Sequence, residues 1–242
     1  MILPFLMKKN AGLYNPCQAA AFKTHAQEAQ MQSTTESSVV SSWRKTHERM
    51  LGAAMILAGV AMAVAGVLHP EDSAAGMVMS IWVPVHTAFF LAIFVLLIGV
   101  VRVYAIALPQ SGWVGLVGFV LFTLGLAGFE GVMLLEAGVM PVLAASDATR
   151  GLTEASGSLM TGPLGIWFLF IAVTFSLGAI LFGLMLPRVR DLPRWAGPLL
   201  VAAPLIAFEP PLPLWLAKVG LVIFSIGFIG LGWGVWKLSE RA

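Results

Sequence analysis

Apolar runs long enough to cross a bilayer follow one another along this chain, and the charges between them sort by sign. A helix rises 1.5 Å per residue, so ~30 Å of hydrocarbon takes about 20 apolar residues. Runs at about 50–68, 81–108, 113–138, 163–186 and 214–236 meet that length, and a shorter one lies at 195–209. Reading these as spans puts Glu71, Asp72, Glu130, Glu136, Asp147, Glu154 and Glu209 toward one face, with Arg150 and Lys218 the bases among them. The opposite face takes Arg44, Lys45, Arg49, Arg102, Arg188, Arg190, Arg194, Lys237 and Arg241. Basic flanks stay in the cytoplasm as helices insert. The pattern therefore predicts an all-α polytopic transmembrane helix bundle of six spans, both termini cytoplasmic, multi-pass in a cell inner (plasma) membrane.

Composition agrees with lipid as the main solvent. Charged residues make up 11% of the 242, against about 25% in soluble domains. No basic patch is interleaved with aromatics, which argues against a nucleic-acid partner. Cys17 is the single cysteine, so neither an internal disulfide nor a thiolate metal cluster is available. Residues 1–47 read as a disordered or loosely helical cytoplasmic tail, 48–237 as the transmembrane domain and 238–242 as a cytoplasmic C-terminus. The apolar start Met1–Met7 stops at Lys8-Lys9, too early for a signal peptide. Met31 offers an alternative start, since nothing before it is needed by the bundle.

Prolines and glycines punctuate the runs. Pro70 stops the first span, because proline cannot extend the backbone ladder. Pro109-Gln110-Ser111-Gly112 predicts a tight turn that returns the third span beside the second. A short surface helix is expected from about Pro141, and Pro163 suits the first position of the fourth span. The fifth span carries Pro198 and Pro204 and is expected to cross tilted and kinked, since a re-entrant loop would carry Lys237 and Arg241 to the acidic side. Small residues form stripes at Gly52, Gly59, Ala63 and Gly66, at Gly118 and Gly125, and at Gly220, Gly227 and Gly234. Such stripes let helix backbones approach in lipid. The last stripe serves either packing inside the bundle or association with a second copy or another membrane protein.

An ionisable group in hydrocarbon costs at least about 2.5–3.5 kcal/mol and marks a candidate site. His86, Glu130 and Lys218 fall roughly 6–8 Å inside the acidic face. His69 and Glu136 fall at its rim, and Glu71, Asp72 and Glu209 around the mouth. These groups either satisfy one another or form a ligand or proton site, since a half-buried imidazole beside a carboxylate titrates near neutrality. Haem is an alternative, with His69 and His86 as axial ligands. A zinc-dependent hydrolase is another, although no His-x-x-x-His or His-Glu-x-x-His run occurs and Ser156 and Ser158 lack a nucleophile elbow. The leading expectation is a non-enzymatic membrane protein with a shallow polar pocket on its outer face, binding a small ligand or serving a larger membrane complex. The alternative is a haem-binding or metal-dependent redox protein or hydrolase using His69 and His86.

The segment His69-Pro70-Glu71-Asp72, then Trp82-Val83-Pro84-Val85-His86 and an apolar run to Tyr104, resembles a pattern in bacterial polytopic membrane proteins of no known activity. They share a His-Pro helix end followed by a Trp-x-Pro-x-His helix start. The resemblance covers about 35 residues and implies a bacterial inner-membrane protein, carrying no catalytic residue with it.

Overall fold

The computed structural model describes residues 16–154, 156–207 and 214–241, with side chains from residue 42 onward except at 207. The chain divides into two units, Met1–Thr46 with Ala242 and His47–Arg241. The described residues are helical, with no strand among them. Helix α1 (Pro16–Leu68) begins well before the first apolar run. Its leading stretch is rich in Ala, Gln and Glu, which favour helix. All that follows concerns the second unit.

Four helices are long and apolar enough to cross a membrane, over Ser42–Leu68, Trp82–Ala144, Pro163–Arg188 and Leu214–Arg241, and a shorter apolar helix covers Ala196–Ile206. After α1 come the short α2 (Ala74–Met77) and the long α3 (Trp82–Gly138). Then follow α4 (Met140–Ala144), α5 (Arg150–Thr153), α6 (Ser158–Thr161), α7 (Pro163–Met185), α8 (Ala196–Ala207) and α9 (Leu214–Arg241). The fifth apolar run is helical from Ala196 to Ala207 with Pro204 inside it, and Glu209 lies outside the described residues.

Helix α3 is not one rod. Tyr104 and Phe119 stack at 4.2 Å, and the Trp82 Nε1–H donates to the Glu136 carbonyl at 2.7 Å. A straight helix would hold these pairs roughly 22 Å and roughly 80 Å apart. The chain folds back at Gly112 (φ 58, ψ −171), three residues after Pro109. That backbone region is open essentially to glycine alone. A Cβ at Gly112 would meet nothing within 4 Å, so the conformation itself is the only obstacle to a side chain. Gly112→Ala is expected to lower stability by about 1–3 kcal/mol, read as a fall in the unfolding midpoint in detergent. An unchanged midpoint would mean that the turn relaxes without cost.

The six apolar segments pack in sequence order and close into a ring. Met55 of α1 lies against Gly99 in the first arm of α3 (82–111), and that arm stacks on the second arm (113–138). Gly118 and Gly125 of the second arm meet Phe182 and Phe175 of α7, Gly183 of α7 meets Gly197 of α8, and Leu200 of α8 covers Gly227 of α9. Gly52, Gly59 and Gly66 of α1 then meet Trp236, Ser225 with Ile229, and Leu221 of α9. Phe122 fills the middle, with ring centroids 5.5–6.2 Å from Phe175, Phe182, Phe224 and Phe228. The Gly220, Gly227 and Gly234 stripe has neighbours within the chain. Leu199 and Leu200 sit over Gly227, Pro193 sits over Gly234, and Gly220 faces an internal chamber.

One end of the ring is basic, and two of the acids there are each tied to an arginine. Glu48, 5% exposed, takes both Nε and Nη2 of Arg102, and Asp191 pairs with Arg241 at 3.2 Å. At the acidic end the 139–162 connection folds down. Met140 and Ala144 pack on Ala74, Met77 and Trp82, forming a small second core beside the mouth of the bundle.

Candidate functional site: a two-chambered cavity under the acidic end

His69 directly follows the last residue of α1, where Pro70 forbids another helical turn. Its Nδ1 lies 2.7 Å from the Pro70 carbonyl. His86 sits in the second turn of α3, with Nδ1 2.9 Å from the Trp82 carbonyl one turn back. The two Nε2 atoms face each other at 3.2 Å. Trp82 has no solvent exposure and orders the corner twice, stacking on His86 at a centroid distance of 4.2 Å while its indole N–H holds the Glu136 carbonyl. Asp72 Oδ1 stands 3.9 Å from His69 Nε2. Protein packed beside Asp72 raises its carboxyl above the ordinary range and the His69 imidazole opposes that rise. Since 71% of the side chain is exposed, water screens both effects.

His69, Asp72 and His86 line a cavity of about 520 Å³, together with Glu136, Lys218, Thr153 and a set of apolar side chains. Lys218 donates to the Val67 carbonyl at 3.0 Å, so a cation from α9 caps the C-terminal end of α1, where the helix dipole favours it. Glu136 is 9% exposed, and its Oε2 is buried without a hydrogen-bond partner. Below lies a second chamber of about 170 Å³ whose lining, among the described residues, is apolar and includes Met62, Ile93, Leu126, Phe175 and Phe224. Phe89, Phe129, Met133 and Leu221 line both chambers, so the two adjoin through a shared wall.

No known protein family, curated protein or solved structure matches the chain. The site therefore rests on its own chemistry.

Of the residues singled out in the sequence, His69, His86, Glu136 and Lys218 come together around the outer chamber, joined by Asp72. Glu130 does not join them. Its neighbour Phe129 faces the chambers, whereas both Glu130 carboxyl oxygens are buried without a partner and the residue lines neither chamber. Helix geometry explains this: Glu136 lies seven residues beyond Phe129 and keeps its face, while Glu130 is turned about 100° away. Trp82, a fully buried organiser of this corner, is the residue that the sequence reading did not single out for the site. The available signal was its spacing of four from His86, which puts both on one face.

Cofactor readings meet this geometry with different results. A metal–imidazole bond is about 2 Å, so two axial rings on one iron need their nitrogens about 4 Å apart with the porphyrin plane between them. His69 and His86 stand 3.2 Å apart at Nε2, closer than two axial ligands of one iron, so the rings as placed are not set for a bis-histidine haem. Among the described residues, no group of three or more His, Cys, Asp or Glu is placed to hold a metal ion.

Proposed function

We propose that this chain is a six-span inner-membrane protein, both termini cytoplasmic, which holds an amphipathic small molecule in the outer half of its bundle. The polar group of that molecule sits among His69, His86, Glu136 and Lys218, and its apolar part enters the chamber between Phe89 and Phe224. The observation that carries the reading is the adjacency of a polar chamber and an apolar one through Phe89, Phe129, Met133 and Leu221. A dry cavity of about 150 Å³ accepts a benzene-sized guest, so 170 Å³ suits a ring or a short stretch of chain. Glu136 Oε2 lacks a donor, and a hydroxyl or amide on the guest supplies one. The six-span arrangement draws on the closed ring and on the sorting of every arginine but Arg150 to one end.

The test is chemical. Protein purified in mild detergent and extracted with organic solvent is expected to yield one amphipathic species near one per chain by mass spectrometry. Ala203→Phe, which fills the lower chamber from its α8 wall, is expected to reduce that yield at least tenfold while the protein still elutes as folded. Equal amounts of mixed membrane lipid from both proteins would overturn the reading. Orientation is checked separately, with Cys17→Ser combined with Asp147→Cys, which is expected to react with an impermeant maleimide added outside intact cells.

A further inference from the structure

The two histidines at the chamber wall are held in a way that leaves a specific chemical demand unmet. A backbone carbonyl only accepts hydrogen bonds, so Nδ1 of His69, facing the Pro70 oxygen, and Nδ1 of His86, facing the Trp82 oxygen, must both carry hydrogen. A neutral imidazole has one N–H and one lone pair. With both hydrogens committed at Nδ1, each neutral ring presents a bare lone pair at Nε2, and these lone pairs point at each other across 3.2 Å. Two acceptors facing at that distance repel. Neither ring escapes by changing tautomer, since that would aim an Nδ1 lone pair at a carbonyl oxygen.

We propose that His69 and His86 share one excess proton between their Nε2 atoms and act as a one-proton donor site for the molecule in the outer chamber. A proton between the nitrogens turns the repulsion into a charge-assisted hydrogen bond, at the long end of the normal range. A metal ion would also answer the lone pairs, but a metal site wants at least three protein ligands, and the described residues supply no such group.

The surroundings suit a single positive charge. Asp72 stands 3.9 Å from His69 Nε2 and reaches into water, so it both balances the charge and connects it to the outside. From the other elements around the chamber, Glu136 comes from the second arm of α3 and Lys218 from α9. The 139–162 connection adds Thr153 and Met160, and α7 adds Phe168, none of them charged. Lys218 is occupied with the Val67 carbonyl, which moderates its repulsion of the pair. A second proton would place two cations at 3.2 Å with Lys218 on the same chamber wall, so the pair holds one proton and not two. Transfer is then balanced: the proton leaves Nε2 for an oxygen of the bound polar group, the pair becomes neutral, and water returns a proton by way of Asp72.

This donor role rests on the ligand reading above, whereas the shared proton itself is tested on the protein without ligand. Full-length protein in nanodiscs of phosphatidylcholine, delipidated in detergent beforehand and labelled with ¹⁵N-histidine, is titrated from pH 5 to 8. The Nε2 signals of His69 and His86 are expected to move together, to show a through-hydrogen-bond nitrogen–nitrogen coupling, and to account for one bound proton in total. That coupling is expected to vanish in His69→Asn and in His86→Asn. Two independent titrations, each taking up a full proton, would overturn the proposal. So would zinc near one per chain in the purified protein that falls at least tenfold in His69→Asn, since a metal would then occupy the proton's place. Wild-type protein alone decides the first question, so an unfolded variant leaves the test intact. A shared proton in the delipidated protein, with no amphipathic species extracted from protein purified without delipidation, would uphold the pair and sink only the ligand reading.

Discussion

Arg102→Met is expected to cost about 3–5 kcal/mol of stability, because it strands Glu48 as a buried charge without its partner. The two halves of this ion pair are not equivalent. The Glu48 side chain is 6% exposed and the Arg102 side chain 28%. Removing the arginine leaves a carboxylate with no route to water. Removing the acid leaves a long side chain whose guanidinium can reach the surface along its own stem. Glu48→Gln is therefore expected to cost less, about 1–2 kcal/mol, on the scale of a lost charged hydrogen bond. Replacing both residues with apolar side chains of similar volume is expected to recover most of the loss, since isosteric apolar replacement of buried pairs is often neutral or better. Denaturant unfolding in a fixed detergent, followed by tryptophan fluorescence, gives all four values. Equal losses for the two single variants would show that burial does not set the cost.

Gly178→Leu is expected to be nearly as damaging, about 3 kcal/mol, at the upper end of overpacking costs. A Cβ at Gly178 would overlap the backbone nitrogen and Cα of Phe122, and one at Gly125 would overlap the backbone of Phe175. Backbone cannot rotate out of the way as a side chain tip does, so the second arm of α3 and α7 must separate. Phe122 moves with its backbone, and its ring contacts to Phe175, Phe182, Phe224 and Phe228 loosen together. In lipid no hydrophobic force presses helices back together, and lost dispersion is not otherwise replaced. Gly131 is the control. A Cβ there meets nothing within 4 Å, so Gly131→Ala is expected to stabilise by up to about 1 kcal/mol through helix propensity. A small loss at Gly178 comparable to the change at Gly131 would mean that the interface yields.

The helical class and the hairpin at Gly112 were legible, because apolar run length and a Pro-Gln-Ser-Gly turn report directly on backbone geometry. Helix α1 was legible only in its apolar half, since the polar stretch from Pro16 carries helix propensity without periodic burial. The glycine stripes announced close packing, but partner choice was hidden. Gly52, Gly59 and Gly66 go to α9, and no local feature in either segment names the other. The Glu48–Arg102 pair escaped notice for the same reason, joining residues on separate helices. In the site, His69 and His86 stood out because charge in lipid is rare. Glu130 stood out equally and faces elsewhere, since depth along a helix can be counted from residue numbers while rotation about it depends on what packs alongside.

The contact of α1 with α9 imposes an order on synthesis. Helix α1 is made before α9, so its glycine groove is bare until the helix that fills it follows. Until then the groove stays open to lipid or to a wandering neighbour, and a chain stopped after α8 has no means of closing it. Helix α9 acts as a latch, and a chain cut before it is expected to be degraded faster in cells than the intact chain, although every chamber-lining histidine and carboxylate is kept.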